Sequence, residues 1–439
     1  MDAENTICRM NKFEILQNVR KYAAENLNET PFILGKSVIP ASSPLLSARD
    51  VEFLVETVLG FWYTDWRRCS WFRSELCRVL KKRKAILCNS GSSASLVAIS
   101  SLAEQKKQEF IITCACGFPT TISPIYQCGK VPYYVDIDPT TLSPDFEQIE
   151  EILSSSYAED IAGVVLAHTL GFPFNERDLV SIIPDLPLVV DCCDALGATV
   201  FESPVGMYSD IMTLSFFPAH QIFSGEGGAV LTNNDMMYRI MFSLANWGKS
   251  CTCLPGQDNV CGKRFEWEDR GNLPEGFDHK YIFDRLGYNL KMTEFQAALG
   301  LSQLLALDEF IEARRNNYSY LASTLAEIPN LLDFTSFIRV PEWSNPSPFG
   351  FPILVGEDAP FTTGELIAFL ESKNVRTRRM FGGNITKQPG FMNLPYLSKD
   401  LSGADLVMNN MFWVGCHPAL TIEMLDYMIG VFEEFFHGY

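Results

Sequence analysis

One stretch of this sequence lacks lysine altogether: none stands between Lys130 and Lys249, so no side chain there offers a primary amine. Basic residues are also scarce. Thirty-five Lys and Arg against 53 Asp and Glu leave a net charge of −18, which excludes the basic footprint that sequence-independent nucleic-acid binding needs. A local pocket can still be positive on an acidic surface. No uninterrupted apolar run approaches the roughly 18 residues of a membrane span. Met1 to Leu16 has no basic region followed by an apolar run, so a cytoplasmic location without a secretory leader is expected. No Gly-x-Gly-x-x-Gly follows a strand, which argues against a dinucleotide site of the Rossmann type. The 13 cysteines include no Cys-x-x-Cys pair, and neither short repeats nor low-complexity tracts occur.

What is present reads as globular: 47% hydrophobic and 20% charged residues over 439 positions, enough for two or three domains. Lys12 to Glu25 and Asp50 to Gly60 have helical patterning, the second with an acidic cap. Asn89 to Ala103 reads as an apolar helix with small, hydroxylated residues at its start. Strands at Glu109–Cys114, Val131–Val135, Ile161–Ala167, Leu188–Val190, Ile211–Leu214 and Ala229–Thr232 are interspersed with helices at Ser123–Gln127 and Asp145–Leu153. That alternation predicts an α/β fold, a mostly parallel sheet covered on both faces. A long helix is expected from Glu294 to Asn316, and then a smaller α+β domain with a strand at Phe351–Leu354 and helices at Thr363–Ser372 and Thr421–Phe436. The division is 1–30 as an N-terminal helical segment, 31–300 as the large domain and 301–439 as the small one. Within the large domain, 248–289 is poorly patterned and rich in Gly, Pro, Cys and charge, a long functional loop.

Three pieces fall at strand ends. Asn89-Ser90-Gly91-Ser92-Ser93-Ala94 opens a helix with free N–H groups, either a phosphate cradle or an ordinary cap. Asp191 follows the apolar run Leu188-Val189-Val190, placed either to meet a ring nitrogen or to cap a helix. Ser215-Phe216-Phe217-Pro218-Ala219-His220 precedes the turn Gly225-Glu226-Gly227-Gly228, where glycine permits close backbone approach. In a cytosolic protein most cysteines, among them Cys8, Cys69, Cys77, Cys88 and Cys128, are small buried hydrophobes. Cys251, Cys253 and Cys261 in the loop, with Cys193 two residues beyond Asp191, are four thiolates able to bind zinc or an iron–sulfur cluster. Spacing alone favours zinc.

In this order the strand-end pieces resemble the sugar aminotransferase superfamily, which uses pyridoxal phosphate on the aspartate-aminotransferase (type I) fold; the resemblance runs from about Phe32 to Phe436. It implies that Gly91, Ser92 and Ser215 hold the cofactor phosphate. Phe118, in Cys116-Gly117-Phe118-Pro119-Thr120-Thr121, would stack on the pyridine ring. Asp191 would pair with the ring nitrogen and keep the ring an electron sink. Asn289, in Leu286-Gly287-Tyr288-Asn289-Leu290-Lys291, would reach the phosphate of a neighbouring subunit, which implies a homodimer. His220 stands where the superfamily has its Schiff-base lysine. The coenzyme would then stay untethered as pyridoxamine phosphate, with His220 as a base suited to neutral pH.

Asp191-Cys192-Cys193-Asp194-Ala195-Leu196-Gly197, Phe217-Pro218-Ala219-His220, the loop cysteines and Asp278-His279-Lys280-Tyr281 are similar to the CDP-6-deoxy-L-threo-D-glycero-4-hexulose 3-dehydrases. That resemblance implies a two-iron two-sulfur (2Fe-2S) cluster on Cys193, Cys251, Cys253 and Cys261, with Cys193 rather than the adjacent Cys192. It implies C-3 dehydration of CDP-4-keto-6-deoxyglucose in 3,6-dideoxysugar and O-antigen biosynthesis, with electrons from an NADH-dependent flavin and iron–sulfur reductase. Phe217 in place of tyrosine, Gln221 in place of a second histidine, and Trp66-Arg67-Arg68-Cys69-Ser70-Trp71 depart from the family's pattern. Asp194 and Arg376, Arg378 or Arg379 are candidates for the sugar or diphosphate site, whereas His168, His279 and His417 read as structural. The rival readings are a dTDP-sugar 3-dehydrase and a non-catalytic, lysine-less protein holding zinc; an ordinary aminotransferase would need the absent lysine.

Overall fold

The computed structural model describes residues 10–27 and 31–439; Cys8 and the ends of the expected 1–30 segment lie outside them. An eight-stranded sheet runs in the order Lys84–Cys88, Gly228–Thr232, Ile211–Ser215, Leu188–Asp191, Ile161–Ala167, Phe110–Cys114, Val131–Val135, Leu397–Ser398. Gly228–Thr232 is antiparallel to both its neighbours. From Ile211–Ser215 onward every pairing is parallel. Helices cover both faces, so the inner strands are apolar on both sides, and Ile161–Ala167 is buried at every position but its last. Alternate residues of Lys84–Cys88 feed opposite cores: Ile86 and Cys88 join one apolar cluster, Ala85 and Leu87 another.

A second, antiparallel sheet takes the order Thr335–Phe337, Gly350–Val355, Met411–Gly415, Thr377–Arg379. Its core, built on Phe351, Phe412, Phe432 and Phe436, is covered by helices Thr363–Ser372 and Ile422–Phe436. Among the described residues no helix is long and apolar enough to cross a membrane.

Three local expectations change. The helix expected from Asp50 starts at Ala48 with Ser47 as its cap, and Asp50 returns the bond to the Ser47 N–H in a capping box. The long helix from Glu294 is two, Glu294–Leu304 and Leu307–Leu325, with neither Pro nor Gly at the break. The first is buried at nine positions and the second keeps an exposed face, so the chain turns where its surroundings change from all-round core to core on one side. Strand Lys84–Cys88 and helix Arg67–Val79 were not anticipated.

Between Gly248 and Asn289 the only helical element is the single turn His279–Tyr281. Its stem closes through bridges Asn246 to Asn289 and Lys249 to Phe283. Gly248 has φ +79°, and a Cβ there would lie 1.9 Å from the Arg285 carbonyl oxygen, so only glycine lets the two stem strands cross. Farther in, Arg264 pairs with Asp278 at 2.6 Å, and Trp267 stacks on His279 at 3.7 Å.

Candidate active site

Five strand ends converge on one crevice. In open α/β sheets the carboxyl ends of parallel strands leave the gap in which ligands bind. Here Cys88, Cys114, Ala167, Asp191 and Ser215 end their strands around a cavity of about 820 Å³. It is lined by Gly91, Ser92, Phe118, Asp191, Cys193, Asp194, Ser215 and His220, and closed from the small domain by Arg378, Arg379 and Trp413. No lysine is among its lining residues.

Helix Gly91–Gln105 points its N-terminus into this cavity. Ser90 caps it, accepting from the Ser93 N–H at 3.1 Å, and leaves the Gly91 and Ser92 amides without intrahelical acceptors. Gly91 packs so closely on the neighbouring strand end that a Cβ would lie 2.5 Å from the Ser215 Cβ. The helix start and Ser215 therefore form one concave wall, the chemistry and shape of an anion cradle.

Asp191 is 9% exposed and fixed on both oxygens: Thr121 donates its hydroxyl at 2.6 Å and the Cys193 amide donates at 3.0 Å. Thr121 lay inside a quoted motif, but no pattern of sequence marks a hydroxyl as the partner of a distant carboxylate. Phe118, at the start of helix Pro119–Gln127, is 52% exposed and meets Phe381 edge-on at 5.8 Å. It lines the cavity.

His220 Nδ1 stands 3.5 Å from Asp194 Oδ1, within ion-pair reach but without hydrogen-bond geometry, and it is buried without a partner. Burial and the Arg314 guanidinium push the imidazole down to about 3, so the ring is neutral. Burial and the Asp191 carboxylate push the Asp194 carboxyl up to about 7. Arg314, unsuspected from the sequence, is fully buried and donates from its two terminal nitrogens to the backbone carbonyls of His220, Pro348 and Phe349. Gln221 acts as a clamp, donating to the Asp194 and Ser347 carbonyls. Phe217, read from the sequence as a departure from the family's pattern, also lines the cavity.

Of the three candidate arginines, Arg378 and Arg379 line the cavity and make no salt bridge among the described residues. Arg376 is engaged elsewhere by Glu371 at 2.6 Å. His168 is locked by Glu176 at 2.8 Å and the Phe174 amide at 3.2 Å, and His417 bonds the Pro40 carbonyl at 3.0 Å. Asn289 does not line the cavity of its own chain; its side-chain oxygen accepts from Lys291 at 2.6 Å.

Of the four expected cluster cysteines, three line one cavity and the fourth lines another. Cys251, Cys253 and Cys261 line a small loop cavity with His279, whose Nδ1 is 3.6 Å from Cys261 Sγ. Cys193 lines the large cavity, and the two cavities share no residue. Among the described residues the one tight donor group is Asp65, Cys69 and Glu294. Its carboxylates are already used: Glu294 caps helix Arg67–Val79 through the Trp66, Arg68 and Cys69 amides, and Asp65 pairs with Arg73 at 2.8 Å. That group is a structural cap.

Comparison with known proteins follows the same outline. The lipopolysaccharide biosynthesis protein RfbH of Salmonella typhimurium is 42% identical over 436 residues, covering 96% of this chain and 97% of that one. The dTDP-4-dehydro-2,6-dideoxy-D-glucose 3-dehydratase of Saccharopolyspora spinosa is 43% identical over 434 residues, covering 97% and 92%. A solved GDP-4-keto-6-deoxymannose-3-dehydratase with bound GDP-perosamine superposes with a TM-score of 0.80 at 24% identity, over 90% of this chain and 100% of that chain. The sheet order and the smaller α+β domain are those of the type I aminotransferase fold. With residues 45–433 matching its pattern, the chain belongs to the DegT/DnrJ/EryC1/StrS aminotransferase family.

Proposed function

We propose that this chain is a pyridoxamine-phosphate enzyme that removes the C-3 hydroxyl of a nucleotide-linked 4-keto-6-deoxyhexose, CDP-4-keto-6-deoxyglucose, in 3,6-dideoxysugar and O-antigen biosynthesis. The observation that carries the reading is an aminotransferase-fold cavity with a half-buried histidine whose Nδ1 has no hydrogen-bond partner, and no lysine among its walls. The residues present fit the coenzyme, since a Cβ-free cradle faces a fixed carboxylate across one cavity. When bound, pyridoxamine phosphate supplies a primary amine for the sugar's keto carbon and a ring that accepts electrons.

The chain's residues divide the remaining work. The Gly91 and Ser92 amides with Ser215 hold the phosphate. Asp191, oriented by Thr121, would hold the ring nitrogen in its protonated form, and Phe118 would supply an apolar wall for the ring. His220, neutral in this setting, would take up the proton released beside the coenzyme's amine and deliver it to the departing C-3 hydroxyl, which would leave as water. Asp194, 3.5 Å away, stabilises the imidazolium while the proton is held. Arg378 and Arg379 bind the diphosphate. Asn289 belongs to this scheme as a contact to the phosphate of a partner subunit in a homodimer.

Deoxygenation also consumes two electrons, whose supply the reading assigns to an NADH-dependent flavin and iron–sulfur reductase. The two-iron two-sulfur site that the resemblance implies would be held by Cys193, Cys251, Cys253 and Cys261, of which the last three line the small loop cavity. The 43% identity to a dTDP-sugar 3-dehydratase favours a second reading, with a dTDP-linked sugar as substrate. Anaerobically isolated protein loaded with pyridoxamine phosphate, incubated with CDP- and dTDP-linked 4-keto-6-deoxyglucose, tests both. Loss of the C-3 hydroxyl from one of them, completed only with an electron donor, is expected; amine transfer from glutamate without a reductant defeats the reading.

A further inference from the structure

One indole of the second sheet borders the large cavity. Along strand Met411–Gly415 the side chains alternate between two faces. Phe412 and Val414 enter the core of the small domain, whereas Trp413 joins the core of the large one and lines the cavity. Its seat is close-fitting: a Cβ on Gly350 would lie 2.4 Å from the indole Cε3, so a side chain there would displace the ring. Phe349 meets the ring edge-on at 5.5 Å. The indole is 4% exposed, and its Nε1–H has no acceptor among the described residues. An indole nitrogen is a donor only, and a buried donor left unpaired is destabilising. The oxygen that completes it has to arrive in the cavity.

Two neighbours say which oxygen. Arg378 stands directly opposite Trp413 in the antiparallel ladder, so the two side chains leave the sheet on the same face. Phe349 links the indole to the His220 ring, 5.5 Å from one and 5.3 Å from the other. Under the function proposed above, Arg378 binds the diphosphate carried on C-1 and His220 acts at C-3. The indole N–H, set between these two groups, falls at C-2. The chemistry of the sugar narrows the choice in the same way. A nucleotide-linked 4-keto-6-deoxyhexose has free hydroxyls at C-2 and C-3 only, and the C-3 hydroxyl departs.

We infer that Trp413 is a specificity residue whose Nε1–H donates to the C-2 hydroxyl of the nucleotide sugar. This rests on the dehydrase reading above. It commits the protein to 2-hydroxy sugars, because a donor built for a hydroxyl is stranded when the hydroxyl is missing. The 2,6-dideoxy sugar for which the Saccharopolyspora spinosa relative is named lacks that group.

Two sugars that differ in one oxygen decide it. 4-Keto-6-deoxyglucose and its 2-deoxy counterpart are prepared as CDP-linked and again as dTDP-linked pairs. Turnover is measured with wild type and Trp413→Phe, each loaded with pyridoxamine phosphate and given an electron donor. The affinity of the coenzyme-free proteins for the same sugars is measured by calorimetry. Wild type should favour the 2-hydroxy sugar by about tenfold in kcat/KM and in affinity, the worth of one hydrogen bond to a buried donor. Trp413→Phe keeps an aromatic ring and drops the N–H. It should weaken the 2-hydroxy sugar by about tenfold and leave the 2-deoxy sugar within about twofold, so the preference disappears. Equal use and equal binding of both sugars by wild type overturn the inference, whatever the variant does. So does a Trp413→Phe protein that keeps the preference, or one that weakens both sugars alike, since the N–H would then serve the diphosphate or the ring oxygen. Wild type that removes the C-3 hydroxyl from neither sugar ends the dehydrase reading; the calorimetric preference then decides for or against the donor by itself.

Discussion

Replacing Asp194 with asparagine should make the coenzyme-free protein more stable above neutral pH while stopping turnover. Burial and the nearby Asp191 carboxylate push the Asp194 carboxyl from 3.8 up to about 7, against the opposing pull of the Leu170 amide and Arg314. The unfolded chain ionises near the ordinary value, whereas the folded chain keeps the proton until about 7. Between those two values the folded state binds more protons, so its stability falls as pH rises, by about 1.4 kcal/mol per pH unit, and is flat outside that window. Across the whole window the ionised carboxylate costs about 4 kcal/mol. Water entering the open cavity reduces this to about 1–3 kcal/mol. Asparagine has no charge to bury and still accepts from the Leu170 amide, which donates to Asp194 at 3.2 Å. Urea unfolding at about pH 4 and about pH 8 should therefore show no advantage for Asp194→Asn at the lower value and the full advantage at the higher one. Equal or lower stability at the higher pH, or a gain independent of pH, would refute the reasoning. The loss of turnover follows from Asp194's place beside His220, and a stabilised, inactive variant is the usual mark of a group held at a cost for chemistry.

Three other substitutions probe the same cavity. Gly91→Ala puts a methyl group 2.5 Å from the Ser215 Cβ, an overpacking of about 1–3 kcal/mol that should weaken pyridoxamine phosphate by about tenfold in a fluorescence titration; unaltered affinity would contradict the cradle. Arg379→Ala should raise KM about tenfold with kcat little changed, because a diphosphate contact is shared by ground and transition states; a fall in kcat at constant KM would assign it another role. His220→Lys should give, with pyridoxal phosphate, the absorption of a lysine-bound coenzyme and should abolish dehydration. Absence of that band would mean the residue does not face the coenzyme's reactive carbon.

Much of the large domain was legible because its strands are short apolar runs of Val, Ile and Leu. Val131–Val135 and Ile161–Ala167 have the bounds that pattern gives. Lys84–Cys88 was not, since its first residue continues a basic run and its Ala, Leu and Cys carry little β preference. Helix Arg67–Val79 hides its buried positions Cys69, Phe72 and Leu76 among arginines and an exposed Trp71, and its cap comes from Glu294, more than two hundred residues away. In the active site, the cavity brings together Gly91, Asp191, Ser215 and His220, as strand-end positions foretell. The setting of each was not readable. Thr121 on Asp191 and Arg314 behind His220 are long-range contacts that leave no periodic trace. Nor could spacing reveal that Cys193 and the loop cysteines occupy separate cavities, because residues distant in sequence can be joined or parted by the turn of a loop.

A cavity walled without a lysine has a consequence for how such a protein is supplied. On the function proposed above, its helper molecule would be a visitor, held by the same reversible contacts as any ligand, with an occupancy that obeys mass action. Dilution or prolonged gel filtration would empty it, and the active fraction in a cell would follow the free pool of the vitamin-derived amine.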